Sequence, residues 1–101
     1  MKVMTGAFTG TGAALNVDTV GFKPGKVELL NRTGLVSAHW TTEMGDGAAF
    51  KNINHDTAQN AFVTTGGITA RASGFSVGTD ADLNTAAELV YWVAYETGLT
   101  E

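Results

Sequence analysis

Ser76 stands within Gly74-Phe75-Ser76-Val77-Gly78, a match to the G-x-S-x-G pattern. In acyl-transfer enzymes that pattern holds a nucleophilic serine on a strained strand-to-helix turn, with an acid and a histidine later in the chain. No histidine follows Ser76, and no helical stretch follows the turn. A glycine-bounded turn with a short strand is the better reading. Next comes Asp80-Ala81-Asp82-Leu83-Asn84, whose alternating oxygens open like a calcium loop. Its sixth position is Thr85 instead of glycine, and its twelfth is Tyr91 instead of glutamate, so these side chains are expected to cap turns. His39 and His55 are the only histidines and do not have metal-ligand spacing. Glu43 and Asp56 would serve glycoside cleavage only as a facing pair, and nothing in the sequence brings them together. Gly10-Thr11-Gly12 begins like a dinucleotide fingerprint but lacks the third glycine and the strand–helix unit. No catalytic residue, metal ligand or cofactor is expected.

Composition narrows the partners. The 101 residues carry a net charge of −4, with the six Lys and Arg residues scattered, so there is no basic patch for nucleic acid. No cysteine is present, which removes disulfides and thiolate chemistry. No run of 18 apolar residues occurs, and the opening Met1-Lys2-Val3-Met4-Thr5-Gly6 is not a signal-peptide core, so neither a membrane span nor secretion is expected. The sequon Asn31-Arg32-Thr33 is read as chance on that ground. Hydrophobic residues make up 44% and charged residues 16%, a low charge density that suits a surface partly covered by other subunits.

The elements that position these residues read as strands. Thirteen glycines and one proline cut the chain into short pieces rich in Thr, Val and aromatics. Strands are expected near Val3–Phe8, Ala14–Val20, Lys26–Asn31, Leu35–Thr41, Phe50–Ile53, Ala61–Thr64, Ile68–Ala72 and Glu88–Glu96. Between them, Pro24-Gly25 is expected to form a type II turn with Gly25 at positive φ. The fold class is all-β: a single-domain antiparallel β-sandwich or β-barrel, jelly-roll-like, over residues 13–101. The glycine-rich residues 1–12 precede it as an N-terminal arm.

Within Leu35–Trp40, Val36, Ala38 and Trp40 share one face, and Trp40 is the expected core anchor. Leu89-Val90-Tyr91-Trp92-Val93-Ala94-Tyr95 is apolar on both faces. Such a strand is either central in a sandwich or holds a second surface for a partner. Trp40, Trp92, Tyr91 and Tyr95 would also serve as a sugar-stacking platform. Their alternation within strands favours a division between core and subunit interface.

The order of several short motifs resembles a recurring domain of tailed-bacteriophage virion proteins. These are Gly21-Phe22-Lys23-Pro24-Gly25-Lys26-Val27, then Asn31-Arg32-Thr33, Trp40, Met44-Gly45-Asp46-Gly47, and Gly74 to Asn84 followed by Tyr91 to Tyr95. The resemblance runs from about Thr9 to Tyr95 and implies a β-sandwich or barrel in a virion structural protein. Because the domain fills nearly the whole chain, it implies a capsid decoration (cement) protein, made in the bacterial cytoplasm and placed on the outer head surface. The partner would be the major capsid protein, and the chain would form a homotrimer. A tail- or head-fibre receptor- or carbohydrate-binding module, or a tail-associated subunit, is the alternative. The candidate interface residues are Met1, Val3, Met4 and Phe8 in the arm, and Tyr91, Val93 and Tyr95 on the second face of the last strand.

Overall fold

The computed structural model describes residues 2–54 and 59–96. Its strands are β1 (Val3–Thr9), β2 (Leu15–Val17), β3 (Lys26–Asn31), β4 (Val36–Thr41), β5 (Ala48–Ile53), β6 (Gln59–Arg71), β7 (Gly74–Val77) and β8 (Leu89–Tyr95), with one 3-10 turn at Thr42–Met44. All eight belong to one antiparallel sheet in the order β1-β8-β3-β4-β5-β6-β7-β2. Strands β3 to β7 form a meander, β2 flanks it on one side, and β8 lies between β3 and β1 on the other. Among the described residues no helix is long and apolar enough to cross a membrane.

Of the two expected all-β architectures, the chain takes the nearly closed barrel. Phe75 of β7 and Trp92 of β8 make an edge-to-face contact, 5.6 Å between ring centroids at 78°. Five inter-strand steps separate β7 from β8, roughly 24 Å across a flat sheet. Only a sheet curled on itself brings those rings together. The two edge strands, β1 and β2, are joined directly by residues 10–14 and are not paired with each other.

Period-two alternation fills the interior. Val27 and Leu29 of β3, Val36, Ala38 and Trp40 of β4, Phe75 and Val77 of β7, and Val90, Trp92 and Ala94 of β8 are buried. Trp40, the expected anchor, is 1% exposed, and its Nε1 donates to Gly45 O at 2.8 Å. The core thus ties down the Met44–Gly47 loop. The indole Nε1 of Trp92 is buried and has no hydrogen-bond partner among the described residues.

Several expectations are corrected. The supposed arm is β1, paired with β8 from Val3↔Tyr95 to Thr9↔Leu89. Its Gly, Thr and Ala content reads as flexible, yet Gly6 is what lets it lie over Trp92. A Cβ at Gly6 would sit 2.5 Å from the indole Cζ2. Gly25 does not take positive φ; Gly21 does, at 91°. Gly25 instead extends the ladder of β3, its N–H donating to Tyr95 O and its C=O accepting from Thr42 N. Leu35 is not in a strand but in the β3–β4 turn, at φ 57°. The second strand is shorter than expected, ending at Val17.

The two strands expected over 61–64 and 68–72 are one, β6, which changes partner from β5 to β7. Ala49 faces Val63 while Ala48 faces Ile68, so residues 64–67 bulge out of the ladder. The corner closes on backbone: Gly67 N donates to Gly47 O and Gly78 N to Gly67 O. A side chain at Gly78 would place Cβ 2.7 Å from the backbone of Gly66.

Candidate interaction surface

The residues that looked reactive are engaged structurally. Ser76 lies mid-strand in β7, opposite Asn16 on one side and Thr69 on the other. Asp80 accepts from the backbone N–H groups of Asp82 and Leu83 through Oδ1, as expected of a turn cap. It has a second role that the sequence reading missed. Lys51 of β5 points into the barrel with its side chain only 8% exposed, and its Nζ donates to Asp80 Oδ2 at 2.9 Å and Asp82 Oδ2 at 2.8 Å. Burial by itself pulls the Lys51 pKa down. The hydrogen bonds to Asp82 and Asp80, and then their charges, outweigh that and hold it above the usual 10.5.

This ion cluster fastens the loop from β7 to β8 over one end of the barrel. Leu83 and Asn84 plug that end, at 2% and 0% exposure. The Asn84 Nδ2 donates to Ala13 O and Gly78 O, while its Oδ1 accepts from Thr11 N. Asn31 is likewise interior, 2% exposed, with Nδ2 donating to Glu88 Oε1 and Oδ1 accepting from Gly34 N. Burial takes the Asn31 sequon out of reach of glycosylation. Asp56 and His55 lie outside the described residues. Glu43 is fully exposed; its own backbone N–H and then the Thr41 hydroxyl hold its carboxyl below the usual carboxylate value.

Trp40 and Trp92 both lie in the core, so neither offers a face to a sugar ring. The tyrosines point the other way. Along β8 the alternation sends Leu89, Tyr91, Val93 and Tyr95 outward, with Leu89 and Tyr91 about two-fifths exposed and Val93 and Tyr95 half-buried. The register places Tyr91 beside Leu30, and Leu30 beside Ser37. Leu30 and Leu35 are each more than half exposed. Two shallow hollows, each of about 340 Å³, flank this row and share Leu30, Ser37 and Tyr91. One reaches Leu35 and Arg32 at the β3–β4 turn; the other reaches Val93 and His39. Together they make a mainly apolar groove across β8, β3 and β4.

Glu28 supplies the groove's polar spot. Its carboxylate lies 3.2 Å from Lys26 Nζ and 3.6 Å from His39 Nδ1, and accepts from Tyr95 Oη at 3.4 Å. The Lys26 ammonium also sits 5.3 Å from the Tyr95 ring centroid. These groups are substantially exposed, so the cluster orients side chains more than it stabilises the fold. Beyond His39 on the same outer face, Phe50 and Phe62 face each other across β5 and β6, both exposed.

Of the expected interface residues, Tyr91, Val93 and Tyr95 thus share the outer face with Leu30 and Leu35. Val3 is outward and exposed at the edge strand. Met4 and Phe8 do not belong with them: their partners Ala94 and Val90 are interior, and Phe8 packs against the core. Met1 lies outside the described residues. Leu30 was within reach of the sequence, since Glu28 and Leu30 alternate with the core residues Val27 and Leu29. No family model, curated protein or solved structure matches the chain.

Proposed function

We propose that this chain is a structural subunit of a tailed-bacteriophage virion, a capsid decoration protein that lays its outer β8–β3–β4 face on the major capsid protein lattice. One observation carries the reading. A β-barrel of 101 residues, whose interior is already filled, still presents Leu30, Leu35, Leu89 and Tyr91 together on one outer face. Exposed apolar patches of that kind mark interaction sites. The order of the phage-type motifs supplies the partner, and burial of both tryptophans favours head binding over a sugar-binding fibre tip. Tyr91 is suited to an anchor role, because amphipathic aromatics dominate the centres of protein interfaces.

The test is co-sedimentation with empty heads of the phage that encodes the chain. Wild-type protein is expected to bind at fixed stoichiometry. The double variant Leu30→Ser/Tyr91→Ser is expected to fold and to lose at least about tenfold in affinity, the effect of two modest interface truncations. Unchanged binding by a folded double variant rejects this face as the docking surface. Failure of the wild type to bind heads rejects the decoration role.

A further inference from the structure

Among the described residues β1 is hydrogen-bonded on one side only. Glu96 N donates to Lys2 O and Gly10 N to Glu88 O. Stepping by two along an antiparallel ladder, Met4, Gly6 and Phe8 use their backbone groups on β8. The N–H and C=O of Val3, Thr5, Ala7 and Thr9 therefore point to the free edge, and all four residues are exposed. Natural edge strands are normally protected by charge, proline, a bulge or brevity. Val3-Met4-Thr5-Gly6-Ala7-Phe8-Thr9 has none of these: it is seven residues long, uncharged and regularly paired.

We infer that this edge is a pairing site for a second copy of the same chain, joined antiparallel about a two-fold axis through Gly6. That register is self-complementary. Val3 meets Thr9 and Thr5 meets Ala7, each pair exchanging both backbone hydrogen bonds, so every free edge group from Val3 to Thr9 is satisfied. Between them, Met4 of one copy meets Phe8 of the other in the close, non-hydrogen-bonded spacing. That contact covers Met4, 42% exposed in the single chain, with a sulfur–aromatic interaction. Gly6 faces Gly6 on the axis, where no side chain interferes. A foreign strand would find the same hydrogen bonds, but the Met4–Phe8 reciprocity and the central glycine are features of self-pairing. The inference goes beyond the virion reading and does not depend on it. It specifies a dimer contact, in place of the trimer that the phage resemblance implies.

The experiment is sedimentation equilibrium of the full chain combined with amide hydrogen exchange by NMR. A species of twice the 10.5 kDa chain mass is expected, with the amides of Val3, Thr5, Ala7 and Thr9 protected and their protection falling on dilution. Thr5→Pro removes an outward donor without touching the β8 ladder, so it should give a monomer that keeps the near-ultraviolet signature of Trp40 and Trp92. The inference is overturned by a monomer at NMR concentration, whether those four amides exchange freely or are protected by the chain's own residues. It is equally overturned by a dimer whose four amides exchange freely, by a trimer, or by a folded Thr5→Pro that stays dimeric. If Thr5→Pro does not fold, wild-type exchange decides by itself.

Discussion

Lys51 is the residue on which the interior electrostatics turn. Its ammonium is buried and bridges Asp80 and Asp82, so removing it strands the Asp80 carboxylate in a poorly solvated site. Lys51→Met is expected to lower stability by about 3 kcal/mol, the cost of breaking a buried pair from one side, measured by urea denaturation. The pH dependence follows from the raised pKa of Lys51. A group whose folded pKa lies above its unfolded value of 10.5 contributes fully below that value and loses its contribution as pH rises through the folded one. Wild-type protein should therefore lose stability above about pH 10.5 more steeply than Lys51→Met, since tyrosine ionisation is common to both. Equal alkaline slopes would remove Lys51 from the account. A hint of this role was present in the sequence: strict alternation puts Lys51 on the same face as Ala49 and Ile53, an apolar face. Its partners were not legible, because Asp80 lies 29 residues away and reaches Lys51 only when the loop closes the barrel.

At the scale of elements, the β7–β8 loop acts as a lid whose hinge is hydrogen bonding through Asn84. Asn84→Ala leaves Thr11 N, Ala13 O and Gly78 O without that partner, at a cost of about 2 kcal/mol. Because Asn84 ties residues 11–13 to the loop, the Thr11 amide should exchange faster in this variant than in wild type, while the β3–β4 amides stay protected. Uniform loss of protection would mean that the lid and the sheet unfold as one unit. Strands with clean alternation were legible from sequence: Lys26–Asn31 has the expected bounds, and β4 and β8 lie within a residue of them. Two of the failures share a cause. Gly66-Gly67 reads as a strand break, and Gly6 with its Thr and Ala neighbours reads as an arm. Both are places where glycine admits a close neighbour, the Gly47 carbonyl in one case and the Trp92 ring in the other. Local composition specifies that a side chain is absent, but not what fills the space.

The whole molecule separates two surfaces whose residues the sequence grouped as one candidate interface: the outer apolar groove and the β1 edge. A two-fold axis relating two antiparallel edge strands stands perpendicular to the sheet, so paired copies turn their outer faces to the same side. That holds at β1 itself; the curl of each barrel through β8 to β3 and β4 turns the two Leu30–Tyr91 grooves away from each other, so a dimer offers one groove at a time to an underlying surface. The surfaces should then fail separately. Leu30→Ser/Tyr91→Ser should remain dimeric and lose head binding. Thr5→Pro should be monomeric, keep its groove intact and leave heads no faster than wild type, because each groove docks by itself. Quantifying head-bound protein after dilution, beside the mass of each variant in solution, distinguishes the cases. If the monomeric Thr5→Pro leaves heads at least about tenfold faster than wild type, the two grooves of one dimer do act together on the lattice.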